Sequence, residues 1–332
     1  MKKIFVNLLF VFSVSLAACV PLNSSPSPEV ATPEHTPVAT ASSTPIPVTT
    51  SSSPVIDAAH PCGGATAPTE WQHVVVLVFE NKDYNEVIGA APYITSLSEK
   101  CATVKHWNDA DSKVDGSADG AYNSKPNYAT LTNGLPPSMH GIVTDHYAET
   151  TKVESIYQQL DAAGKTFKDY YEAEAGGCGV RFNGDYHDPI RYYANLTALC
   201  DAHDVPLSSF MSDVNSGNLP AFSFILPTND HNMHDNSVAS GDTYAQQFLE
   251  PLLNSPAYVK GDMAIFFLWE EGNQIPNVLI APSIIAGTKV FVPTGNPVSH
   301  YSALRTWEEM LGLPLLGDTS RAPSLLQTYN GQ

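Results

Sequence analysis

The sequence predicts an α/β protein with a mostly parallel central sheet and helices on both faces. Short, continuous apolar runs recur at His73 to Phe79, Ala221 to Leu226, Met263 to Trp269 and Val278 to Ala281. Such runs are the pattern of parallel strands buried on both sides. Helical patterns alternate with them at Tyr93 to Lys100, Val153 to Ala163, Tyr244 to Leu253 and Ser302 to Leu311. Strands separated by helices imply crossovers that cover the sheet. Gly164 and Gly312 stand where helix C-terminal stops belong, because glycine enters the left-handed conformation freely.

Residues 1–18 precede the fold. Lys2 and Lys3 form a basic start, and Ile4 to Val14 is an apolar core too short for a comfortable membrane span, which together read as a signal peptide. It ends in Leu16-Ala17-Ala18-Cys19, which resembles the bacterial lipobox; the resemblance implies cleavage before Cys19 and a lipid on that cysteine. Residues 19–58 are dominated by Pro, Ser, Thr and Ala. They cannot bury enough apolar surface to offset the entropy of ordering, so they read as a disordered, Pro-stiffened tether. Residues 59–332 are enough for one large domain. The expected protein is exported, outward facing and held at the membrane through its lipid alone.

The chain carries 16 basic and 34 acidic residues, a net charge of −18. That balance argues against nucleic acid as a partner, and no obligate protein partner is evident. An anionic substrate would need a locally positive site, and a bound metal is its obvious source. Besides Cys19, the cysteines are Cys62, Cys101, Cys178 and Cys200, an even set in an exported chain, where disulfides persist. Three pairings are open; proximity favours Cys62 with Cys101 and Cys178 with Cys200.

The chemistry gathers where strands end. The first runs into Glu80-Asn81-Lys82, the second into Asp230-His231-Asn232-Met233-His234, the third into Glu270-Glu271-Gly272-Asn273. Open α/β sheets bind ligands beyond the carboxyl ends of their strands. Asp, Glu and neutral His suit divalent metals, although a polar loop or a solvated acidic turn has the same composition. Asn123-Ser124-Lys125-Pro126-Asn127 places a serine at a turn into a helix. A serine there is commonly a cap, yet the same position suits a phosphate, and an adjacent metal would make the hydroxyl a nucleophile.

His73 to Ala90, Pro126-Asn127-Tyr128, Phe222-Ser223-Phe224 with Met233-His234-Asp235, Leu268-Trp269-Glu270-Glu271-Gly272-Asn273 and Ser299 to Arg305 together resemble the bacterial phosphoesterase family. That family holds acid phosphatases and phosphocholine-type phospholipases C and belongs to the alkaline phosphatase superfamily. The matches fall in family order from about residue 70 to 318, nearly the whole folded domain. The resemblance implies an alkaline-phosphatase-like fold and a divalent metal (zinc, calcium, magnesium or manganese). Its ligands would be Glu80, Asn81, Asp230, His234, Glu270 and Glu271. Ser124 takes the nucleophile slot, with Lys125 beside it and His300 as a late histidine meeting metal or phosphate; these three are the expected catalytic residues. The implied mechanism is in-line attack by Ser124, a phosphoseryl intermediate, and release by metal-activated water. The leading expectation is a hydrolase of small phosphoric monoesters. A phospholipase C-type phosphodiesterase is the first alternative, and a solute- or glycan-binding lipoprotein on a degenerate scaffold the second.

This chain departs from the family pattern at several points. Glu270 replaces the usual Asp, Asn123 stands where a His is frequent, and Asp145 stands where diesterase relatives place a phosphate-contacting Asn. His106 to Tyr122, with Asp109, Asp111, Asp115 and Asp119, has the look of an inserted lid and lacks the closing Glu of a calcium loop. His140 and His146 are further candidates to face phosphate, whereas His231 is expected to point away. His187 and His203 lie among Tyr170, Tyr171, Tyr186, Tyr192 and Tyr193, a composition that reads as packing or as an aromatic cage for choline. Thr130 and Thr132 are rival hydroxyls to Ser124.

Overall fold

The computed structural model describes residues 55–109, 123–146, 148–173, 178, 187–272, 274–290 and 297–332. The leader, Cys19 and most of the tether lie outside the described residues, as do Asp111, Asp115, Asp119, Tyr186 and Asn273. In chain order the strands are β1 (His73–Phe79), β2 (Ala102–Val104), β3 (Trp107–Asn108), β4 (Phe167–Tyr171), β5 (Asp204–Pro206), β6 (Phe222–Leu226), β7 (Met263–Trp269), β8 (Asn277–Ile280), β9 (Thr288–Val290) and β10 (Val298–Ser299). The helices that position the site are α1 (Pro92–Lys100), α2 (Ser124–Asn133), α3 (Ile156–Ala162), α4 (Val238–Leu253) and α5 (His300–Leu311).

Eight strands form one sheet in the order β5-β4-β6-β1-β7-β8-β2-β9, and β10 pairs with β3 beside it. β1 is central, parallel to β6 on one side and to β7 on the other, with Val76 opposite Phe224 and Phe266. Every residue of β6 and β7 is buried, which is why β7 is wholly apolar and β6 is apolar but for Ser223. The alternation of side chains divides their aromatics between two layers. Trp307 of α5 covers Phe222, Phe224 and Phe266, with ring centroids 5.6, 6.1 and 5.7 Å away. On the opposite face Phe79 meets Phe267 and Trp269 at 4.9 and 5.3 Å and Tyr244 of α4 at 6.1 Å.

The mostly parallel sheet follows the sequence expectation, with one strand corrected. β8, expected to run parallel, is antiparallel to β7, with Phe267 opposite Val278. Only residues 270–276 separate the two strands, and a parallel return needs a crossover of about a dozen residues or more. β4 was not legible as a strand because its sequence is Phe-Lys-Asp-Tyr-Tyr. Its buried Asp169 is satisfied by the Tyr157 hydroxyl of α3 at 2.7 Å, and Lys168 pairs with Asp213 at 2.6 Å. Helix α4 begins six residues before the apolar pattern, capped by the Ser237 hydroxyl accepting the Ser240 N–H. Its early turn serves another helix: the Asp242 carboxylate accepts the N–H groups of Tyr93 and Ile94 at the start of α1. Gly312 closes α5 in the left-handed conformation, and Gly164 lies just past the end of α3 with φ 64°.

Cys62 is bonded to Cys101 and Cys178 to Cys200, with Cα separations of 5.2 and 5.7 Å, the pairing that proximity favours. No helix among the described residues is long and apolar enough to cross a membrane.

Candidate active site

The loops that follow β1, β6 and β7 meet at the carboxyl edge of the sheet. Among the described residues, three non-glycine residues have positive φ, Asn81 (46°), Met233 (78°) and Gln274 (65°), and one lies in each of these loops. Such backbone costs free energy and gathers at sites where surrounding contacts hold it. Those contacts are direct. The Glu80 N–H donates to Asn232 O at 2.9 Å, the Glu270 N–H to Phe79 O at 3.1 Å, and the Tyr84 N–H to Gln274 O at 2.8 Å.

Ser124 is the first residue of α2 and is buried. Its hydroxyl lies 3.2 Å from Glu80 Oε2, 3.1 Å from Glu270 Oε1 and 3.4 Å from Glu271 Oε2. Three carboxylates therefore converge on one serine. Burial, and then the charge of Glu80, raise the Glu270 carboxyl well above its ordinary value. The same two causes bring Glu271 up to about 7. Mutual repulsion of this kind is relieved by protonation or by a cation. The second means suits the donor set. Glu270 Oε2 and Asn81 Oδ1 are buried oxygens without a hydrogen-bond partner, and carboxylate and amide oxygens are ligands for divalent ions.

Each expected residue can be placed. His300 opens α5, and its Nε2–H donates to the Glu270 carbonyl at 2.6 Å. Burial holds this imidazole down to about 4, so it is neutral and braces the Glu270 backbone. Lys125 is turned from the carboxylates. Its ammonium donates to the carbonyls of His146 and Glu149 at 3.0 and 2.5 Å, while its backbone N–H meets Asp145 Oδ1 at 2.8 Å. His234 lies in the loop after β6 with its ring 5.9 Å from that of His187, its N–H held by Asn232 Oδ1 at 3.0 Å. Asp230 is exposed at the tip of the same loop, and no described contact joins its carboxylate to the cluster. His231 points away as expected, stacked on Tyr244 at 4.6 Å and bonded to Glu172 Oε2 at 2.8 Å.

The rival hydroxyls are occupied elsewhere. Thr130 donates to Leu135 O at 2.8 Å and Thr132 to Tyr128 O at 3.0 Å. His140 Nε2 lies 3.2 Å from Thr130 Oγ1, His146 is exposed, and His203 stacks on Phe167 at 3.9 Å. Asp109 reaches the site's margin, accepting the Gly272 N–H at 3.2 Å.

Two residues that meet Glu80 were given other parts by the sequence, Tyr128 only as the end of the Pro126-Asn127-Tyr128 motif and His187 as packing or an aromatic cage. Tyr128 donates its hydroxyl to Glu80 Oε1. It lies four residues after Ser124, on the same helical face, and that spacing was the available signal. His187, buried, brings Nε2 to 3.5 Å from Glu80 Oε2 and its ring to 5.9 Å from that of His234. No local pattern marks it. Two features elsewhere share no residue with the cluster. Cys178, Cys200 and Asp204 approach metal-ligand spacing, but both sulfurs are bonded to each other and offer no thiolate. A cavity of about 660 Å³, lined by Trp71, Gln72, Lys165, Ala221 and Met310 among others, opens near the starts of the strands.

Comparison with known proteins bears on the family and the fold. A phosphatidylinositol-3-phosphatase of Mycobacterium tuberculosis is 28% identical over 275 residues, covering 80% of this chain and 85% of that protein. An acid phosphatase of Aspergillus fumigatus is 24% identical over 61% of this chain, which spans about half (49%) of its length. Among solved structures, an alkaline phosphatase superfamily protein of Vibrio parahaemolyticus superposes with TM-score 0.52 at 12% identity, covering 83% of this chain and 76% of that one. A putative sulfatase of Bacteroides thetaiotaomicron gives 0.53 at 10% identity, covering 79% and 75%. At such identities the likeness is one of fold, and the fold is that of the alkaline phosphatase superfamily. The match that covers Ser124, Glu270 and Glu271 is the decisive one: over residues 116–314 the chain fits the Phosphoesterase family, to which it belongs.

Proposed function

We propose that this protein is an exported, lipid-anchored, metal-dependent phosphomonoesterase that works through Ser124. The observation that carries the reading is the convergence of Glu80, Glu270 and Glu271 on the Ser124 hydroxyl within 3.4 Å. A weak nucleophile needs a proton acceptor in reach, and here three carboxylate oxygens are in reach. Ser124 Oγ attacks phosphorus as its proton passes to one of these carboxylates. The ester P–O bond breaks in line, the alcohol leaves with a proton, and water later releases phosphate from the serine. Tyr128 and His187 hold Glu80, and His300 holds Glu270, so the acceptors stay fixed around Oγ. When bound at Glu80, Glu270 and Glu271, with Asn81 beside them, a divalent cation supplies the positive charge that offsets the carboxylates and the phosphoryl oxygens.

The names of the relatives, a phosphatidylinositol-3-phosphatase and acid phosphatases, favour a monoester over the phospholipase C alternative. The exported location rests on the leader and on two disulfides in the folded domain, which suit an oxidising compartment. The test is turnover of p-nitrophenyl phosphate, phosphatidylinositol 3-phosphate and p-nitrophenyl phosphorylcholine. Each is assayed after chelation and after return of zinc, calcium, magnesium or manganese, beside Ser124→Ala. Monoester hydrolysis restored by metal, and lower by about 10³-fold or more in the mutant, is the expected result. Preference for the choline ester would transfer the reading to a phosphodiesterase. No turnover with any metal would favour the binding protein.

A further inference from the structure

Helix α2, which carries Ser124, is not capped by its own cap residue: Asn123 makes no side-chain capping bond. A loop supplies the acceptor instead. Asp145 Oδ1, twenty residues on, takes the Lys125 N–H at 2.8 Å. N–H groups at a helix start suit a phosphoryl oxygen, so Asp145 holds the kind of donor an incoming phosphate would use, on the residue next to the nucleophile. The loop is fastened around it. Glu149 accepts the N–H groups of Val143 and Thr144 at 2.8 and 3.0 Å and the Thr144 hydroxyl at 2.9 Å. The Lys125 ammonium, 5.2 Å from the Tyr192 ring centroid, donates to the His146 and Glu149 carbonyls and so ties the same loop to α2. Asp145 is half-buried, and its charge is among the causes that raise Glu271, whose Oε2 is 3.4 Å from Ser124 Oγ.

A carboxylate accepts hydrogen bonds and gives none. Below its last pKa of about 6, a phosphoric monoester carries one P–OH, which donates. A phosphodiester anion has acceptor oxygens alone, so it meets a fixed carboxylate with like charge and no proton between them. We propose that Asp145 selects monoesters: held beside Ser124, its carboxylate accepts the P–OH of the monoester monoanion and excludes diesters. This rests on the phosphomonoesterase reading above and deepens it, naming the ionic form of the substrate and the residue that tells it from a diester.

The experiment compares kcat/KM of the full chain for p-nitrophenyl phosphate and methyl p-nitrophenyl phosphate, a monoester and a diester with one leaving group. Both are assayed at about pH 5, where the monoester is chiefly its monoanion, in the unsubstituted protein, Asp145→Asn and Asp145→Ala. Asparagine keeps an oxygen for the Lys125 N–H, loses the charge, and has an amide that donates to either ester. Asp145→Asn is expected to lower the monoester-to-diester ratio at least about tenfold, the scale of a hydrogen bond to a charged group, with its melting temperature little changed. Asp145→Ala should lower the ratio and the melting temperature together, since it also removes the cap. A ratio in Asp145→Asn within about twofold of the unsubstituted protein leaves Asp145 a cap alone and overturns the proposal. A folded Asp145→Asn inactive on both esters also overturns it, because selection is then not what the carboxylate does. In either case the unsubstituted protein still hydrolyses the monoester, and the phosphomonoesterase reading stands. An unsubstituted protein that turns over neither ester with any metal removes that reading and the proposal with it. Should Asp145→Asn unfold by circular dichroism, inhibition of the unsubstituted protein decides. Phosphate is expected to inhibit at least about tenfold more tightly than dimethyl phosphate at the same pH, and equal inhibition overturns the proposal.

Discussion

Ser124 is unusual less for its position at a helix start than for its company. A buried carboxylate is costly, and two more beside it raise the cost further. Burial and like charge account for the upward displacement of Glu270 and Glu271. Glu308 on α5 shows what burial does without that crowd. Its Oε1 accepts the Leu316 N–H at 2.8 Å and its Oε2 the Thr319 hydroxyl at 3.0 Å, yet burial pushes its carboxyl up to about 8 from 4.5. The folded state therefore keeps a proton that the unfolded chain has released. This contribution to stability is full below about pH 4.5 and is lost as pH rises through about 8. Glu308→Gln mimics the protonated form. Thermal melts should show it gaining on the native protein by about 4 kcal/mol between pH 5 and pH 9. A difference independent of pH would contradict the assignment.

At the scale of elements, the site is three strand ends whose loops are fastened to one another. Met233 is the fastening of the β6 loop: it is buried with φ 78°, and it fits because Gly241 of α4 has no side chain. A Cβ at Gly241 would come within 2.3 Å of Met233 Cγ. Gly241→Ala should cost about 1–3 kcal/mol in a denaturant titration, as overpacking does. Combined with Met233→Ala it should cost less than the sum of the two single variants, and additive losses would break the link. The strand ends were legible because β1, β6 and β7 are largely apolar runs stopped by Glu or by Pro-Thr-Asn-Asp. The Ser124 helix start was legible from its turn. β4 was hidden because Lys168 and Asp169 find partners only in the folded chain. His187 was hidden because its approach to Glu80 is a long-range contact that no local periodicity encodes.

For the whole molecule, the net charge of −18 makes a locally positive centre the condition for holding a phosphate ester. That condition is the physical reason the account needs a cation among the strand-end carboxylates. The tether and Cys19 would keep this centre near the membrane. Cys19→Ala is expected to move the protein from the membrane fraction to the soluble one, and its retention would remove the lipid anchor from the account. The central claim is that Ser124 carries the phosphoryl group. Its most direct test is acid quenching during turnover of a phosphate monoester, followed by peptide mass spectrometry. The account predicts a single phosphoryl group on the peptide containing Ser124, localised to that residue and absent after chelation. A phosphoryl group on Thr130 or Thr132, with Ser124→Ala still active, would contradict it.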